Sequence, residues 1–498
     1  MKKYILVRLI RSIFSLFVVV VLTFTMIYTL IPRDRVFGKD PTYNKLKKQD
    51  DKASYINTKM ESLGYLDFVE QKDVCVELYG SQGDKYMACV EGKDTAAMDE
   101  YFNTKANEGW DVKQYTNGSY YMTKDVPLVK RILNLFANMV QIDHPWKVQD
   151  PNNPNLERKY YIEQGPNGIP ALACSGCESK YQFYVNSSFP FLHTNAISFD
   201  LGTSYPTFQN VAVLDVIGQS QGNAKKFDVT FPSGVTQSAS VDLYTCEYKP
   251  TLDVIEQSKF GDDHYANCVT VKEEPSMVTT SFLLGILSLI ISYVIALPLG
   301  VYMASKKDKL ADKLGMAYII FTIAVPSLAY IYLFRYIGTS VFQLPGKFPT
   351  YGSGDPRSYV LPLISLSIPM VGSLLMWCRR YMIDQSTQDY VKFARAKGLS
   401  QGEIYKNHIL RNAIIPLAHG IPSSIILSIT GALITETVYS IPGMGKMLPD
   451  SLTSFNNPMI VALTFIFTAL AIFSVLAGDI LITFIDPRIS LDDKGGRK

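Results

Sequence analysis

Six uninterrupted apolar stretches dominate the pattern of hydrophobic and polar positions along this chain of 498 residues. None of them contains Asp, Glu, Lys or Arg, and each is long enough as a helix to cross about 30 Å of hydrocarbon. They cover residues 13–31, 277–305, 314–334, 358–378, 412–435 and 458–478. The pattern predicts a polytopic α-helical membrane protein with six transmembrane helices.

The first apolar stretch also has one feature of a secretory signal, because Lys2, Lys3, Arg8 and Arg11 precede or open it. It is longer than a typical signal core, however, and residues 31–34 that follow are not a small-residue cleavage site. We expect this stretch to remain in the protein as a helix.

Lys and Arg are distributed unevenly beside the apolar stretches. One set of segments holds most of them, namely Lys2, Lys3, Arg8, Arg11, Lys306, Lys307, Lys309, Lys313, Arg379, Arg380, Lys392, Arg395, Lys397, Lys406, Arg411, Arg488, Lys494, Arg497 and Lys498. The two short loops on the opposite side of the predicted membrane hold only Arg335, Lys347, Arg357 and Lys446. Because basic residues accumulate on the cytoplasmic side, both termini are predicted in the cytoplasm of a multi-pass plasma-membrane protein.

The long segment 33–276 between the first two stretches is polar and has no apolar run that would span a bilayer. It is long enough to bury its own core, so we expect a mixed α/β extracellular domain. Clusters of β-forming residues between turn residues predict strands. These clusters are residues 74–78, 86–90, 160–163, 182–185, 211–217, 227–231 and 240–246.

One amphipathic helix is predicted in this domain, from about residue 127 to 142 after the candidate cap Asp125. Its apolar residues fall on one face at helical spacing. They are Leu128, Ile132, Leu135, Phe136, Met139 and Val140. We expect this face to pack on the core of its own domain, and the alternative is a helix lying on the outer membrane surface.

Six of the seven cysteines lie in segment 33–276, and an even count in an oxidising compartment indicates disulfides. Pairing of neighbours is the simplest of the fifteen possible connectivities. It joins Cys75 with Cys89, Cys174 with Cys177, and Cys246 with Cys268. The Cys174–Cys177 pair also has the spacing of a redox or zinc site, but neither a second ligand pair nor a thioredoxin-like βαβ context accompanies it.

Motifs of several enzyme classes are missing from the sequence. It contains no GxxxxGK[ST] phosphate loop, no HExxH and no GxSxG, so it predicts neither catalysis nor ATP binding by that route. A metal site is not expected, and we expect no nucleic-acid partner. Three charged residues near the ends of the apolar stretches, Arg335, Glu436 and Asp479, are interpreted as interfacial or snorkelling charges.

A basic, helix-prone loop, residues 379–412, separates the fourth and fifth apolar stretches. Its characteristic residues are Asp389-Tyr390-Val391, Ala394-Arg395-Ala396-Lys397-Gly398-Leu399, and His408 followed by Leu410-Arg411-Asn412-Ala413 and Pro416. The loop resembles the EAA loop of ATP-binding cassette (ABC) importer permeases, in the form found in the dipeptide and oligopeptide permease family. Lys392-Phe393 replaces the family-wide Glu-Ala, and Arg411 replaces a closing proline.

The resemblance extends over roughly residues 1–32, 197–217 and 277–490. It includes Leu297-Pro298-Leu299-Gly300-Val301, Val325-Pro326-Ser327, Leu361-Pro362, the run 436–445 and the segment 197–205. The remainder of the inserted domain is similar to the enlarged form of the Gram-positive Ami-type oligopeptide permeases. The resemblance implies a type I ABC importer permease with six transmembrane helices and an extracellular domain between the first two.

The resemblance also implies which residues are functional. Ala394 and Gly398 would contact a nucleotide-binding subunit, and Arg395, Lys397 and Arg411 would fix the position of the loop through charge. Leu399 and His408 complete the set of residues implied in coupling to the ATPase. The segment 436–449 would form a compact re-entrant turn at the outer mouth and gate access. Its candidate residues are Glu436, Tyr439, Pro442, Gly443 and Gly445.

The implied assembly consists of a second homologous permease, two cytoplasmic ATPases and an extracellular lipid-anchored peptide-binding protein. The chain itself would bind no cofactor, because ATP and Mg belong to the ATPases.

Alternating access would use bends at Pro298, Pro326, Pro362, Pro369, Pro416, Pro422 and Gly431. Hydroxylated residues are candidates to line the path: Ser288, Ser292, Ser365, Ser367, Ser423, Ser424, Ser428 and Thr430.

The resulting division of the chain is residues 1–32 (N terminus and first helix), 33–276 (extracellular domain), 277–490 (permease core) and 491–498 (cytoplasmic tail). Two other functions remain open from the sequence. Nickel and glutathione permeases share these motifs, and a sensor or wall-anchored scaffold would also use a large outer domain.

Overall fold

A computed structural model of the protein describes residues 2–92, 95–186, 191–218, 223–273, 276–352, 354–428 and 432–485. The predicted tail 491–498 and the basic residue Arg488 lie outside the described residues. So do Thr430 and Gly431, which were predicted to line the path and to bend the fifth span.

Twenty α-helices are described in these ranges. In chain order they are α1 (Lys2–Leu30), α2 (Pro41–Lys45), α3 (Gln49–Ser62), α4 (Gln71–Tyr79), α5 (Asp84–Val90), α6 (Thr95–Asn107), α7 (Leu128–Asn138), α8 (Val213–Gly218), α9 (Val254–Phe260), α10 (Met277–Ser305), α11 (Leu310–Ala324), α12 (Ser327–Ser340), α13 (Arg357–Ser386), α14 (Asp389–Ala396), α15 (Gln401–Glu403), α16 (Leu410–His419), α17 (Ile421–Ser428), α18 (Leu433–Tyr439), α19 (Met444–Thr453) and α20 (Asn457–Ile485).

The described strands all belong to the segment between α1 and α10. They are β1 (Leu66–Glu70), β2 (Asp111–Gln114), β3 (Tyr120–Asp125), β4 (Val140–Ile142), β5 (Lys159–Gln164), β6 (Pro170–Ser175), β7 (Tyr181–Val185), β8 (Leu192–Thr194), β9 (Ile197–Phe199), β10 (Phe227–Thr230), β11 (Thr236–Ala239), β12 (Glu247–Tyr248) and β13 (Tyr265–Asn267). Every paired strand runs antiparallel to its neighbour. The sheets have the orders β1-β3-β2, β5-β6-β7-β8, β4-β9, β10-β11 and β12-β13.

Four of the described helices are long and apolar enough to cross a membrane by themselves: α1, α10, α13 and α20. The predicted third span is divided at Val325-Pro326 into α11 and α12, whose axes differ by 108°. Proline cannot continue the hydrogen-bond ladder of the preceding helix, so a break at this position is expected. The predicted fifth span is likewise divided, into α16 and α17, and the number of spans stays a prediction.

Small residues allow the long helices of the bundle to approach closely. A Cβ on Gly300 of α10 would overlap the side chain of Cys378 on α13, and one on Gly372 would overlap Thr322 of α11. Such contacts between small residues are typical of helices that pack inside a membrane. Cys378 is accordingly a buried free thiol between two helices.

Several predictions of strands are wrong. Residues 74–78 and 86–90 belong to helices α4 and α5, residues 211–217 largely to α8, and residues 243–245 to a 3-10 turn. The β-branched and aromatic residues there are helical because their buried positions recur three or four residues apart, as Gln71, Val74 and Cys75 do on α4. The strands predicted at 160–163, 182–185 and 227–231 are confirmed as β5, β7 and β10.

The predicted amphipathic helix is present as α7, and part of its apolar face packs on its own domain, because Leu135 and Phe136 contact a core that contains Leu201 and Val213. Leu128, Ile132, Leu135 and Phe136 pack against a cluster from α1 and α20 that includes Phe24 and Ile460. Asp125 is not its cap, because its carboxylate pairs with both terminal nitrogens of Arg33. The prediction is thus confirmed in part, because α1 and α20, which are distant in sequence, cover the same face as well.

Arg131 on α7 is buried, and none of the described salt bridges pairs it with a carboxylate. Its guanidinium carbon lies 4.1 Å from the ring centroids of both Tyr28 at the end of α1 and Tyr65 before β1. Aromatic faces attract a cation through their quadrupole, which offsets part of the cost of burying it. The sandwich therefore joins α1, α7 and the inserted domain.

A polar network attaches the inserted domain to the first residues of α20. Asn456 Nδ2 donates to Ser204 Oγ (2.8 Å) and Thr207 Oγ1 (2.8 Å), and Asn457 Nδ2 donates to Tyr65 Oη (2.6 Å). Both asparagines are buried. Because buried amides must find partners, these bonds specify where the domain sits on the bundle.

Asp40 is the centre of a second polar network, on the side of the inserted domain that faces the helix bundle. Its buried carboxylate accepts hydrogen bonds from the hydroxyls of Tyr55 and Tyr205 and from the Thr42 amide. Burial opposes ionisation, but these donors stabilise the charged form and lower the pKa of Asp40 to about 2. The carboxylate is therefore charged at neutral pH, and it joins the start of the domain to the segment before α8.

The three predicted disulfides are formed. Cys75 pairs with Cys89, Cys174 with Cys177, and Cys246 with Cys268, with Cα–Cα distances of 5.8, 5.7 and 4.0 Å. The first lies in the core beside β1–β3, between α4 and α5, and the third lies among residues of β10 and α9. Cys174 and Cys177 join the end of β6 to the turn before β7, which favours the structural interpretation of this pair.

Replacing Tyr65 by Phe tests the attachment of the domain to α20. The ring that covers Arg131 is kept, but the amide of the buried Asn457 loses its acceptor, at a cost of roughly 1–3 kcal/mol. We expect a lower midpoint in thermal unfolding of the purified protein. Tyr160→Phe, at a half-exposed position, is the matched control, and equal midpoints for the two variants would contradict the role of this bond.

Candidate functional site

The inner loop consists of two short helical segments joined at Gly398. Helix α14 is followed by Gly398 at φ +79°, a conformation that favours glycine, and the helix ends there. Ser400 and Glu403 then form a reciprocal capping box, and a π-helical turn spans Ile404–Ile409 before α16. A hydrogen bond from Ser400 lowers the pKa of Glu403, which keeps this cap charged.

The loop packs on the bundle through four buried residues. Val391 and Ala394 on α14, with Ile404 and Ile409 after Gly398, contact a cluster that contains Ala304, Cys378 and Met382. Ile404 and Ile409 thus anchor the second part of the loop to the bundle. Ala394, which was expected to contact a nucleotide-binding subunit, is buried in this cluster together with Val391, three residues before it on the same helix face.

The surface of the loop presents a different apolar group. Phe393 is 69% exposed, and Leu399, just beyond Gly398, is 37% exposed. Arg395, Lys397 and Gly398 are also exposed. Four of the predicted loop residues are thus exposed, as is Phe393, which was not among the predicted site residues.

Two polar contacts fix the loop to neighbouring helix ends. Arg379 at the end of α13 makes a bidentate ion pair with the buried Asp312 at the start of α11 (Nε–Oδ1 2.5 Å, Nη2–Oδ2 2.7 Å). Tyr405 Oη donates to the carbonyl of Ala304 on α10 (3.3 Å). These two contacts connect the loop to α10, α11 and α13.

His408 and Arg411 lie on the second part of the loop. His408 is half-buried in the π-helical turn, and Arg411 is exposed in the first turn of α16. Neither forms a salt bridge with another part of the described chain. They are on the segment that continues directly into the bundle, separate from the exposed group around Phe393.

Glu436 occupies the other end of the bundle and is only 1% exposed. Its Oε1 accepts from Ser281 Oγ (2.7 Å) and Ala432 N (3.1 Å), and its Oε2 accepts from Lys446 N (2.9 Å). The interpretation of Glu436 as an interfacial charge is wrong. A buried carboxylate needs several donors, and these donors come from the segments that surround the 436–449 turn.

The rest of the turn is packed as tightly. A Cβ on Gly443 would overlap the Glu436 carboxylate, and Gly445 is buried. Tyr439 is fully buried, with its hydroxyl 2.8 Å from Ser365 Oγ of α13, and Pro442 is half-buried. The five predicted residues thus form one compact turn, with Ser281 of α10 as an additional member that sequence spacing did not identify.

The other two charged residues also have specific partners. The Asp479 carboxylate on α20 contacts Arg8 of α1. It also forms a hydrogen bond with His419 Nε2 of α16 (3.1 Å). Arg335 Nη1 donates to the carbonyl of Val438 (3.1 Å). Both are therefore structural contacts between segments rather than unpaired interfacial charges.

Two cavities lie between α10, α13 and the broken helix α16–α17. One of about 250 Å³ is lined by Ser281, Gly285, Ser424, Ser428 and Glu436, and one of about 540 Å³ by Ser292, Tyr293, Pro369, Trp377 and Ser424, among others. Ser424 lines both. Ser292, Ser424 and Ser428 thus match the predicted polar path, whereas Ser288, Ser365 and Ser367 are buried among the helices.

Comparison with known proteins places these features in a family. The family described as binding-protein-dependent transport system inner membrane component matches residues 296–491. The oligopeptide transport system permease protein AmiC of Streptococcus pneumoniae is 43% identical over 502 aligned positions, which cover 100% of both chains. The chain belongs to this family of ABC transport permeases. It is a membrane permease subunit, and the expectation that it is not an enzyme is confirmed by these relatives.

More distant permeases match only part of the chain. The dipeptide transport system permease protein DppB of Lactococcus lactis is 31% identical over 46% of this chain and 74% of its own length. The glutathione transport system permease protein GsiC of Salmonella typhimurium is 28% identical over 47% of this chain and 75% of its own. The match with AmiC extends through the α/β domain in the N-terminal half, as the resemblance to the Ami-type permeases implied.

Replacing Gly443 by Ala tests whether the outer turn depends on Glu436. The added methyl overlaps the carboxylate, so we expect destabilisation by roughly 1–3 kcal/mol and less folded permease in the membrane. Gly354→Ala is the matched control, because a Cβ there meets no other atom. The measurement is thermal unfolding together with the yield of folded protein, and unchanged values for Gly443→Ala would refute this packing.

Proposed function

We propose that this permease subunit carries oligopeptides into the cell and forms half of their translocation pathway. The full-length similarity to an oligopeptide transport permease, including the inserted domain, is the observation that carries the choice of cargo. The hydroxylated cavities between α10, α13 and α17 are consistent with a polar path for a peptide backbone. The second half would come from a homologous permease.

The proposed topology has six transmembrane helices, with both termini and the inner loop in the cytoplasm and residues 33–276 outside. The bent pair α11–α12 and the divided segment α16–α17 would supply the third and fifth spans. Three disulfides in segment 33–276 support an oxidising location for it. The concentration of Lys and Arg on the loop side supports the same orientation.

Two cytoplasmic ATPases would bind the inner loop, and they, not this chain, would hold ATP and Mg. The proposed contact surface is Phe393, Arg395, Lys397, Gly398 and Leu399, with His408 and Arg411 on the following segment. An exposed aromatic side chain beside two cations is typical of an interface anchor. Ala394 would act indirectly, by holding α14 on the bundle.

An extracellular, lipid-anchored binding protein would deliver the peptide to the outer mouth. The proposed contacts there are the turn 436–449 and the inserted domain above it. Because Glu436 and Gly443 are held rigidly, opening of the mouth would move the turn as a unit with α18 and α19. Closure of the two ATPases would thus reorient the packed helices of the bundle, while the turn at their outer end keeps its internal contacts.

Reversing the charge of Arg395 and Lys397 together tests the coupling role of the loop. Uptake of labelled peptide by the reconstituted transporter should be lost, and the ATPases should no longer co-purify with the permease. The control is Lys72→Glu with Lys85→Glu, which makes the same change in net charge on exposed positions of the inserted domain. Normal uptake by the loop variant would rule out ATPase coupling and favour a sensor or scaffold.

Replacing Phe393 by Ala tests the anchor separately from charge. Truncation of an interface anchor typically costs about 2 kcal/mol or more, so binding of the ATPases should weaken by more than tenfold. Phe183→Ala, at an exposed position on β7, should leave their affinity unchanged. Titration of purified ATPases against the permease in nanodiscs measures both, and equal affinities would remove Phe393 from the interface.

A different cargo is the second candidate, because the glutathione permease GsiC shares the core of the chain. Competition of labelled peptide uptake by glutathione, nickel and unlabelled peptides separates the possibilities. Competition by peptides alone is expected.

A further inference from the structure

Helix α7 has two apolar faces, and only one of them is covered. The first carries Leu128, Ile132, Leu135 and Phe136 and packs on α1 and α20 and on the core that α8 shares with α20. The second carries Val129 and Leu133, four residues apart, which are 68% and 63% exposed. In water, side chains of this kind on adjacent turns would form an unfavourable apolar ridge.

The covered face fixes the position of α7 along the bundle. The ring of Phe136 lies 4.8 Å from the ring of Phe17 (centroid to centroid), and Phe17 is inside the charge-free stretch 13–31 of α1. The same face packs near Phe465, which is in the apolar body of α20. Helix α7 therefore lies beside segments of α1 and α20 that cross the membrane, not above their ends.

The remaining side of α7 is polar. At 100° per residue, Lys130, Asn134 and Asn138 fall together, away from both apolar faces. All three are exposed. Arg131 is on the same half of the helix but is turned inward between Tyr28 and Tyr65. The helix thus has the distribution expected at a boundary between hydrocarbon and water.

We propose that α7 is embedded in the membrane leaflet next to the inserted domain, with Val129 and Leu133 in contact with lipid acyl chains. Lys130 and Asn134 face the headgroups and water. The neighbouring helix α1 also exposes apolar side chains along this stretch, namely Val18, Leu22 and Met26, and lipid is the occupant that covers such side chains on a helix that crosses the membrane.

This placement also gives the inserted domain a second attachment. The polar bonds to Asn456 and Asn457 hold it to the bundle, and α7 holds it to the bilayer. The inference rests on the membrane location in the proposed function but not on the cargo, so its failure would leave the peptide uptake result intact.

Site-directed fluorescence quenching in nanodiscs tests the proposal on the assembled transporter. Val129→Cys and Leu133→Cys, each in a Cys378→Ala background, are labelled with bimane, and Asn134→Cys is the matched control on the same helix. Lipids brominated on the acyl chains should remove most of the fluorescence at 129 and 133 and little at 134. A water-soluble quencher, iodide, should give the opposite order.

Two results would overturn the proposal. Quenching of 129 and 133 by iodide as strongly as 134 would mean that this face is in water. Protection of 129 and 133 from both quenchers would mean that a protein partner, such as the second permease, covers it. Labelled transporters that take up peptide normally establish that the readings come from the native fold, and the two independent positions guard against a local effect of one label.

Discussion

The buried carboxylate of Glu436 is the constraint on which the outer end of the molecule depends. A charge enclosed by apolar helices is stable only when donors surround it. The donors here are the hydroxyl of Ser281 and the backbone amides of Ala432 and Lys446. Their positions define the turn after α18 and the start of α19. Met444 and Met447 of α19 then complete the core that α8 of the inserted domain shares with α20.

Much of this architecture follows from local features of the sequence. Charge-free length identified the long helices, and neighbouring cysteines identified the disulfides. These features are local, so the sequence contains them directly. The elements α4, α5 and α8 were mistaken for strands because composition favoured β structure, whereas their buried positions follow a helical period.

The features that could not be predicted depend on contacts between distant residues. Ser281 and Glu436 are 155 positions apart, and Tyr65 and Asn457 are 392 apart. No local pattern reveals that such pairs meet. The exposure of Phe393 and the burial of Ala394 have the same origin, because the orientation of α14 is set by the ends of α10 and α13 that it packs against.

Helix α20 is held at both ends by polar side chains. Asn456 and Asn457 at its start bond to the inserted domain, and Asp479 near its other end contacts α1 and the His419 end of α16, the helix that follows the inner loop. A helix of 29 residues is a stiff rod about 40 Å long. The contact with the helix after the loop and the contacts with the inserted domain are therefore on one continuous helix, so a rigid shift of α20 would displace both.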